Sequence, residues 1–83
     1  MSIVTLYTTD TCPYCRNAKA LLARKGIETR EINVQFEQGQ FQEMIARSGR
    51  RSVPQIFIGE HHIGGFDDLA KLDREGNLMA MLA

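Results

Sequence analysis

Several features are missing from this sequence, and each absence argues against a class of function. No apolar run approaches membrane-spanning length, and no charged segment followed by an apolar one opens the chain. We therefore expect a soluble, cytoplasmic protein with no membrane partner.

Ten basic residues balance ten acidic ones, which argues against a polyanionic partner. The densest basic group, Arg47, Arg50 and Arg51, is interrupted by Ser48 and Gly49, so no nucleic-acid footprint is expected.

The chain also lacks internal repeats, linkers and low-complexity stretches. Its 83 residues are enough for one small hydrophobic core. We therefore predict a single domain that covers residues 1–83.

Both cysteines lie in one stretch, Thr11-Cys12-Pro13-Tyr14-Cys15, between an apolar run and a helix-like segment. Two thiols spaced i and i+3 come together only if the chain turns helically between them, and a strand followed by a helix supplies that turn. A Cys-x-x-Cys at this point of a βαβ pattern indicates a thioredoxin-like dithiol redox site.

Two other uses of the cysteines are less favourable than a redox site. A structural disulfide closing so short a loop would remove little chain entropy and would stabilise the fold poorly. A zinc site needs about four ligands. The spare candidates are His61 and His62, adjacent residues that would point to opposite faces of a strand.

The predicted helix places the two thiols in different environments. Cys12 falls at or just before the first helical residue, and Cys15 about one turn in. Unpaired amide N–H groups and the helix dipole favour a thiolate at Cys12, whereas Cys15 is expected to be buried. We predict that Cys12 is the nucleophile and Cys15 the resolving thiol. Because a helix terminus contributes only about 0.3 to 1 kcal/mol, amide hydrogen bonds from Tyr14 and Cys15 must add to it.

Hydrophobic periodicity and turn residues predict an α/β chain. The expected strands cover residues 3–7, 27–34, 53–58 and 61–63, the last two forming a hairpin. The expected helices cover residues 13–25 and 36–47, a segment from Asp67 to Gly76, and a short one after Asn77. A βαβ half with parallel strands, its second strand at an edge, joins a ββα half. This is a thioredoxin-like fold, a four-stranded mixed sheet with helices on both faces.

Three motifs then carry a family resemblance over essentially the whole chain. They are Cys12-Pro13-Tyr14-Cys15, Ser52-Val53-Pro54-Gln55-Ile56-Phe57-Ile58 and Gly64-Gly65-Phe66-Asp67-Asp68-Leu69. In this order and spacing they resemble a dithiol glutaredoxin, especially the small bacterial glutaredoxin 3 type. Thioredoxins usually carry Trp-Cys-Gly-Pro-Cys, and this chain has no tryptophan.

The resemblance implies a glutathione-dependent thiol–disulfide oxidoreductase that uses glutathione as co-substrate and no cofactor. In this family the first cysteine attacks a glutathionylated thiol or a protein disulfide, and glutathione or the second cysteine resolves the mixed disulfide. The implied partners are glutathione and glutathionylated or disulfide-containing proteins, ribonucleotide reductase being one known for the family. A monomer is expected.

The resemblance also implies a glutathione site. Val53 and Pro54 resemble the family's cis-proline corner, where the backbone of Val53 pairs with the cysteinyl part of glutathione. Tyr14 resembles the aromatic residue beside the exposed thiol. Phe66 and Asp67 resemble the loop that holds the γ-glutamyl end, with the Asp67 carboxylate facing the ammonium group. A plain N-cap is the other role open to Asp67, and the two roles can coexist.

Two positions depart from the family pattern. A lysine commonly stands two or three residues before the first cysteine, whereas residues 8–11 contain three threonines and an aspartate. Arg16 and Arg51 are the candidates to replace its charge, and Arg51 is better placed for a glutathione carboxylate. Phe66 stands where related bacterial glutaredoxins often have a third cysteine.

Other functions remain open at this level. An iron–sulfur carrier, with Cys12 and glutathione shared across a dimer, resembles what single-cysteine relatives do, but Cys15 would compete by forming a disulfide. A thioredoxin-type donor reduced by a flavoenzyme is a third possibility. We expect His61 and His62 to decorate an exposed strand, and the methionines Met44, Met79 and Met81 to serve packing.

Overall fold

One four-stranded sheet organises residues 3–82, the part of the chain described by this computed structural model. Its strands are β1 Val4–Thr8, β2 Thr29–Asn33, β3 Gln55–Ile58 and β4 His61–Gly64. The helices in the same residues are α1 Pro13–Arg24, α2 Gln38–Ser48, α3 Phe66–Arg74 and α4 Leu78–Leu82. This element order confirms the predicted βαβ and ββα halves. None of these helices has the length and apolar character that crossing a membrane requires.

The strand order β2-β1-β3-β4 brings the two halves together at the centre of the sheet. Strands β1 and β2 are parallel because α1 crosses between them, and β2 lies at the edge as expected. Strand β3 runs antiparallel to β1, with Tyr7 opposite Gln55. The end of β1 therefore lies beside the start of β3, so the segments that follow Thr8 and precede Gln55 meet at one edge.

Alternating side chains divide the core between the two faces of the sheet. Helices α1, α3 and α4 cover one face, whose buried residues are Val4, Leu6, Ala18, Leu21, Leu22, Ile56, Ile58, Leu69 and Leu78. Helix α2 covers the other face, whose buried residues are Tyr7, Val34, Met44 and Phe57. The prediction of helices on both faces is therefore confirmed.

The predicted element ends are accurate where glycine marks them. Helix α1 ends at Arg24 and α2 at Ser48, and Gly26 and Gly49 follow in the left-handed region with φ of 71° and 72°. Strand β3, in contrast, begins at Gln55 rather than at residue 53. Pro54 has no N–H to contribute to a ladder, so the segment before Gln55 is a corner and not a strand.

Candidate active site

Cys12 occupies the N-cap of α1, immediately after the loop that leaves β1. Its backbone is extended, with φ −93° and ψ 113°, and Pro13 takes the first helical position. The Cys12 sulfur accepts a hydrogen bond from the Cys15 backbone N–H, with Sγ 3.3 Å from N. Of the two amides predicted to bond to the Cys12 sulfur, that of Cys15 does so.

Cys15 lies one turn further along α1 and is completely buried, as expected. Burial raises the pKa of the Cys15 thiol to about 12, and the hydrogen bond and charge of Cys12 add to the shift. A backbone hydrogen bond with Thr9, second only to burial in size, and the smaller effect of the Lys19 charge lower the pKa but do not outweigh burial. Both cysteines are free thiols. Cys15 therefore remains protonated at neutral pH, and half-buried Cys12 is the thiol that a partner can reach.

The segment before β3 forms a corner against Cys12, and its Val53–Pro54 peptide bond is cis as the resemblance implied. The Cys12 thiol donates to the Val53 carbonyl, with Sγ 3.6 Å from the oxygen. The Val53 N–H has no hydrogen-bond partner among residues 3–82. An unused backbone donor therefore lies next to the accessible thiol.

Two grooves flank Val53. The first, of about 230 Å³, is lined by Tyr14, Arg50, Ser52, Val53, Pro54, Gln55, Gly65, Phe66, Asp67 and Asp68. The second, of about 280 Å³, is lined by Thr9, Val34, Gln35, Gln38, Phe41, Arg51 and Val53. The first groove carries two carboxylates and the Arg50 guanidinium, whose Nη1 is 3.5 Å from Asp68 Oδ2, and the second carries the Arg51 guanidinium. Five of the predicted glutathione contacts line the first groove, while Arg51 lies in the second and Val53 borders both.

The start of α3 positions the carboxylates of the first groove. Gly65 is the N-cap, and the Asp68 carboxylate accepts from the Gly65 N–H with Oδ2 3.0 Å from N. Gly64 has φ +120°, and a Cβ at this position would collide with the Asp68 carboxylate. The N-cap role for Asp67 is therefore wrong, because Gly65 occupies the N-cap and the carboxylate bonded to its N–H is that of Asp68. The Asp67 side chain is exposed and makes no hydrogen bond within residues 3–82.

The loop between Thr8 and Cys12 has no lysine, and its one acidic residue, Asp10, is hydrogen-bonded to the end of β2 and the segment that follows it. The Asn33 amide donates to the Asp10 carboxylate, with Nδ2 2.6 Å from Oδ1, and the Asp10 N–H donates to Gln35. Arg16 is exposed and has no side-chain hydrogen bond or ion pair within residues 3–82. Arg51 lies over the Phe41 ring, 5.8 Å from its centroid. Neither arginine pairs with Cys12, so the contact to its sulfur from α1 is an amide.

The prediction for His62 as surface decoration is wrong, although His61 is exposed as expected. The His62 ring is half-buried against Phe57, with centroids 4.9 Å apart, and its Nε2 is 2.7 Å from Gln55 Oε1. Burial lowers the pKa of His62, as does the Arg50 charge, while Asp68 opposes the shift. The sequence held one signal for the buried contact between Gln55 and His62. Residues two apart on a strand share a face, so Gln55 was expected on the same face as Phe57.

Comparisons with known proteins agree with this geometry. The glutaredoxin family model matches residues 4–63. Glutaredoxin 3 of Escherichia coli K12 is 51% identical over 82 residues, covering 99% of both chains. The solution structure of glutaredoxin from Brucella melitensis superposes with a TM-score of 0.86 at 52% identity, covering 99% of this chain and 89% of that one. A buckwheat glutaredoxin–glutathione complex gives 0.87 at 31% identity, covering 98% and 76%. The chain is therefore a member of the glutaredoxin family, and its Cys12 and Cys15 form a dithiol active site.

Proposed function

We propose that this glutaredoxin acts as a glutathione-dependent disulfide oxidoreductase in which Cys12 attacks and Cys15 resolves. One observation carries the assignment of roles: Cys12 is accessible at a helix N-terminus, whereas Cys15 is completely buried one turn away. Only a thiolate attacks a disulfide sulfur, so the thiol that ionises within reach of a partner must act first.

On a glutathionylated protein, the Cys12 thiolate attacks the glutathione sulfur. A Cys12–glutathione disulfide forms, the original disulfide breaks, and the protein thiolate leaves and takes up a proton. A second glutathione thiolate then attacks the sulfur of the bound glutathione, which releases oxidised glutathione and regenerates the Cys12 thiolate. This route needs no step at Cys15.

On a protein disulfide, attack by Cys12 leaves a mixed disulfide between Cys12 and the substrate protein. Cys15 then attacks the Cys12 sulfur, so a Cys12–Cys15 disulfide forms, the bond from Cys12 to the substrate breaks, and the substrate thiolate leaves and takes up a proton. The raised pKa of Cys15 keeps this thiol protonated until a base removes its proton. Because protonation suppresses premature attack by Cys15, glutathione has time to resolve the Cys12–glutathione disulfide. The pKa difference thus favours the one-thiol route for small mixed disulfides.

The two grooves match the two charged ends of glutathione. Asp67 in the first groove supports binding of the γ-glutamyl ammonium, and Arg51 in the second supports binding of the glycyl carboxylate. The amides at the start of α3, including that of Phe66, suit the γ-glutamyl carboxylate. Tyr14, which is 58% exposed, borders the first groove beside the thiol.

Val53 supports binding of the middle of the molecule. Its free N–H suits the carbonyl of the cysteinyl unit, as in strand addition. Its carbonyl accepts from the Cys12 thiol while that thiol is protonated. A Cys12 sulfur in a disulfide has no proton to donate, so formation of the mixed disulfide frees the Val53 carbonyl for the cysteinyl N–H of glutathione.

We extend the proposal to partners and location. Glutathione, glutathionylated proteins and protein disulfides are the proposed substrates, ribonucleotide reductase among them, and the protein is proposed to act as a monomer in the cytoplasm. The match to glutaredoxin 3 over 99% of both chains supports this extension.

Anaerobic reconstitution with iron, sulfide and glutathione tests the alternative function of an iron–sulfur carrier, and a colourless product would exclude that function.

The roles are tested by following glutathione-dependent reduction of a glutathione mixed disulfide and of a protein disulfide. We expect Cys12→Ser to abolish both activities. Cys15→Ser should retain reduction of the glutathione mixed disulfide and lose intramolecular resolution of the protein disulfide. Equal loss in both variants on the glutathione mixed disulfide would contradict the assigned roles.

A further inference from the structure

Gln55 is a completely buried polar side chain that directly follows Pro54. Its amide nitrogen donates to the Ser52 carbonyl and hydroxyl oxygens, 3.0 and 3.3 Å away. Its Oε1 is 2.7 Å from His62 Nε2. The amide nitrogen and the amide oxygen of Gln55 are therefore both hydrogen-bonded, as a buried amide requires.

The chemistry of these contacts fixes the direction of each hydrogen bond. The Ser52 carbonyl only accepts, so the amide nitrogen of Gln55 must face it and Oε1 must face His62. Because Oε1 also only accepts, His62 Nε2 carries a proton and donates. The His62 ring is held by Phe57, which packs in turn against the Arg47 guanidinium at 4.2 Å. His62 therefore presents a fixed donor to Gln55.

This pair supplies the hydrogen bonds that hold Ser52 in the corner, where Val53 also packs against the core. Among residues 3–82, no backbone–backbone hydrogen bond involves residues 51–53. The hydrogen bonds of this segment are those from Gln55 to Ser52 and from Cys12 to Val53. The second is lost whenever Cys12 is deprotonated or in a disulfide. During exchange, the Gln55 bonds to Ser52 are the ones that remain.

We propose that Gln55 and His62 are positioning residues for glutathione exchange: they hold the Ser52 peptide so that the Val53 N–H and carbonyl meet the cysteinyl unit of glutathione on Cys12. Neither is proposed to touch the reacting sulfurs, and both act through Ser52. The proposal rests on the proposed function. Burial lowers the pKa of His62, and the neutral ring protonated at Nε2 is sufficient for the donor role.

The test compares three variants of the intact protein in the glutathione mixed-disulfide assay. His62→Phe keeps a ring on Phe57 and removes the donor, so the apparent KM should rise about tenfold while kcat changes little. His62→Gln places an amide N–H near the former Nε2 and should recover most of the lost affinity. His61→Phe changes the exposed neighbour on β4 and should leave KM and kcat unchanged.

Two further measurements separate positioning from a general effect on folding. The alkylation rate of Cys12 by iodoacetamide at pH 7 should stay within about twofold of wild type in His62→Phe, because the Cys15 N–H contact belongs to α1. Gln55→Met should reproduce the KM effect, and adding His62→Phe to it should raise KM little further. Should Gln55→Met not fold, the two His62 variants decide the question.

The outcomes distinguish this inference from the function on which it rests. A wild-type protein without turnover would overturn both. An active wild type, with an unchanged KM in His62→Phe, would overturn the positioning role alone. A lower melting temperature with unchanged KM, or no recovery in His62→Gln, would also overturn it, since either result describes a merely structural residue.

Discussion

The active site has two sides that are built in different ways. The helix side consists of Cys12 and the first turn of α1, which contains Cys15, all within five consecutive residues. The corner side consists of residues 52–54, the Gln55–His62 pair and the start of α3. The bond from the Cys12 thiol to the Val53 carbonyl joins the two sides across 41 positions of sequence. The difference teaches that the environment of the thiols arises locally, whereas the surface that we propose for glutathione recognition is assembled by the sheet.

On the helix side, the largest expected effect is the difference in reactivity between the two thiols. A pKa of about 12 leaves roughly one Cys15 molecule in 10⁵ ionised at pH 7, and burial slows its reaction further. Iodoacetamide at pH 7 should therefore label Cys12 at least about 10³ times faster than Cys15, as measured by mass spectrometry of the peptides.

The pH dependence of Cys15 labelling follows from the raised pKa of this thiol. Burial favours the neutral thiol, so labelling of Cys15 should rise about tenfold for each pH unit and show no plateau below pH 11. In guanidinium chloride both thiols should label at similar rates, which provides the control. Equal labelling in the folded protein would remove the distinction between an attacking and a resolving thiol.

On the corner side, the largest expected effect is that of Gly64→Ala. The substitution forces a side chain into φ +120° and against the Asp68 carboxylate, which caps α3. We expect a loss of about 2 to 3 kcal/mol in the free energy of unfolding, measured by denaturant titration.

Gly59→Ala is the matched control for that measurement. Gly59 also has a positive φ, of 60°, but nothing lies within 4 Å of the position that its Cβ would take. It should therefore cost only about 1 kcal/mol. If the two variants were equally stable, the contact between Gly64 and Asp68 would not determine the geometry of the corner side.

Smaller effects are expected from the charges of the two grooves. Asp67→Asn and Arg51→Gln should each raise the KM for glutathione mixed disulfides about threefold to fivefold with kcat nearly unchanged, because both side chains are exposed and screened. Glu60→Gln, an exposed acid in the β3–β4 turn, is the control. High salt should reduce the difference between each variant and wild type, and a KM effect that ignores salt would argue against charge recognition.

The fold could be predicted from the sequence where local signals are strong. Glycines after α1 and α2, and the apolar spacing along both helices, fixed their ends and buried faces to within a few residues. The start of β3 and the cap of α3 were harder to predict. The predicted start of β3 included Pro54, whose missing N–H ends the ladder there. The two adjacent aspartates before Leu69 offered the same capping chemistry, so the sequence could not show that Asp68 makes the bond.

His62 shows why the remainder of the site could not be predicted. Its neighbour His61 has the same side chain and is exposed, so composition cannot distinguish them. The difference comes from the sheet, in which Phe57 lies opposite His62 and Gln55 lies on the same face. Register between strands decides which of two adjacent residues is buried.

The sequence alone determined how the two thiols differ in environment, because Cys12 precedes the first turn of a helix and meets a free amide there, whereas Cys15 lies one turn further along and is buried. The tertiary structure decided what lies opposite them: a free Val53 amide, a groove carboxylate at Asp67, and the buried Gln55–His62 pair. Those groups are distant in sequence, and only the pairing of β1 with β3 and of β3 with β4 brings them to one edge.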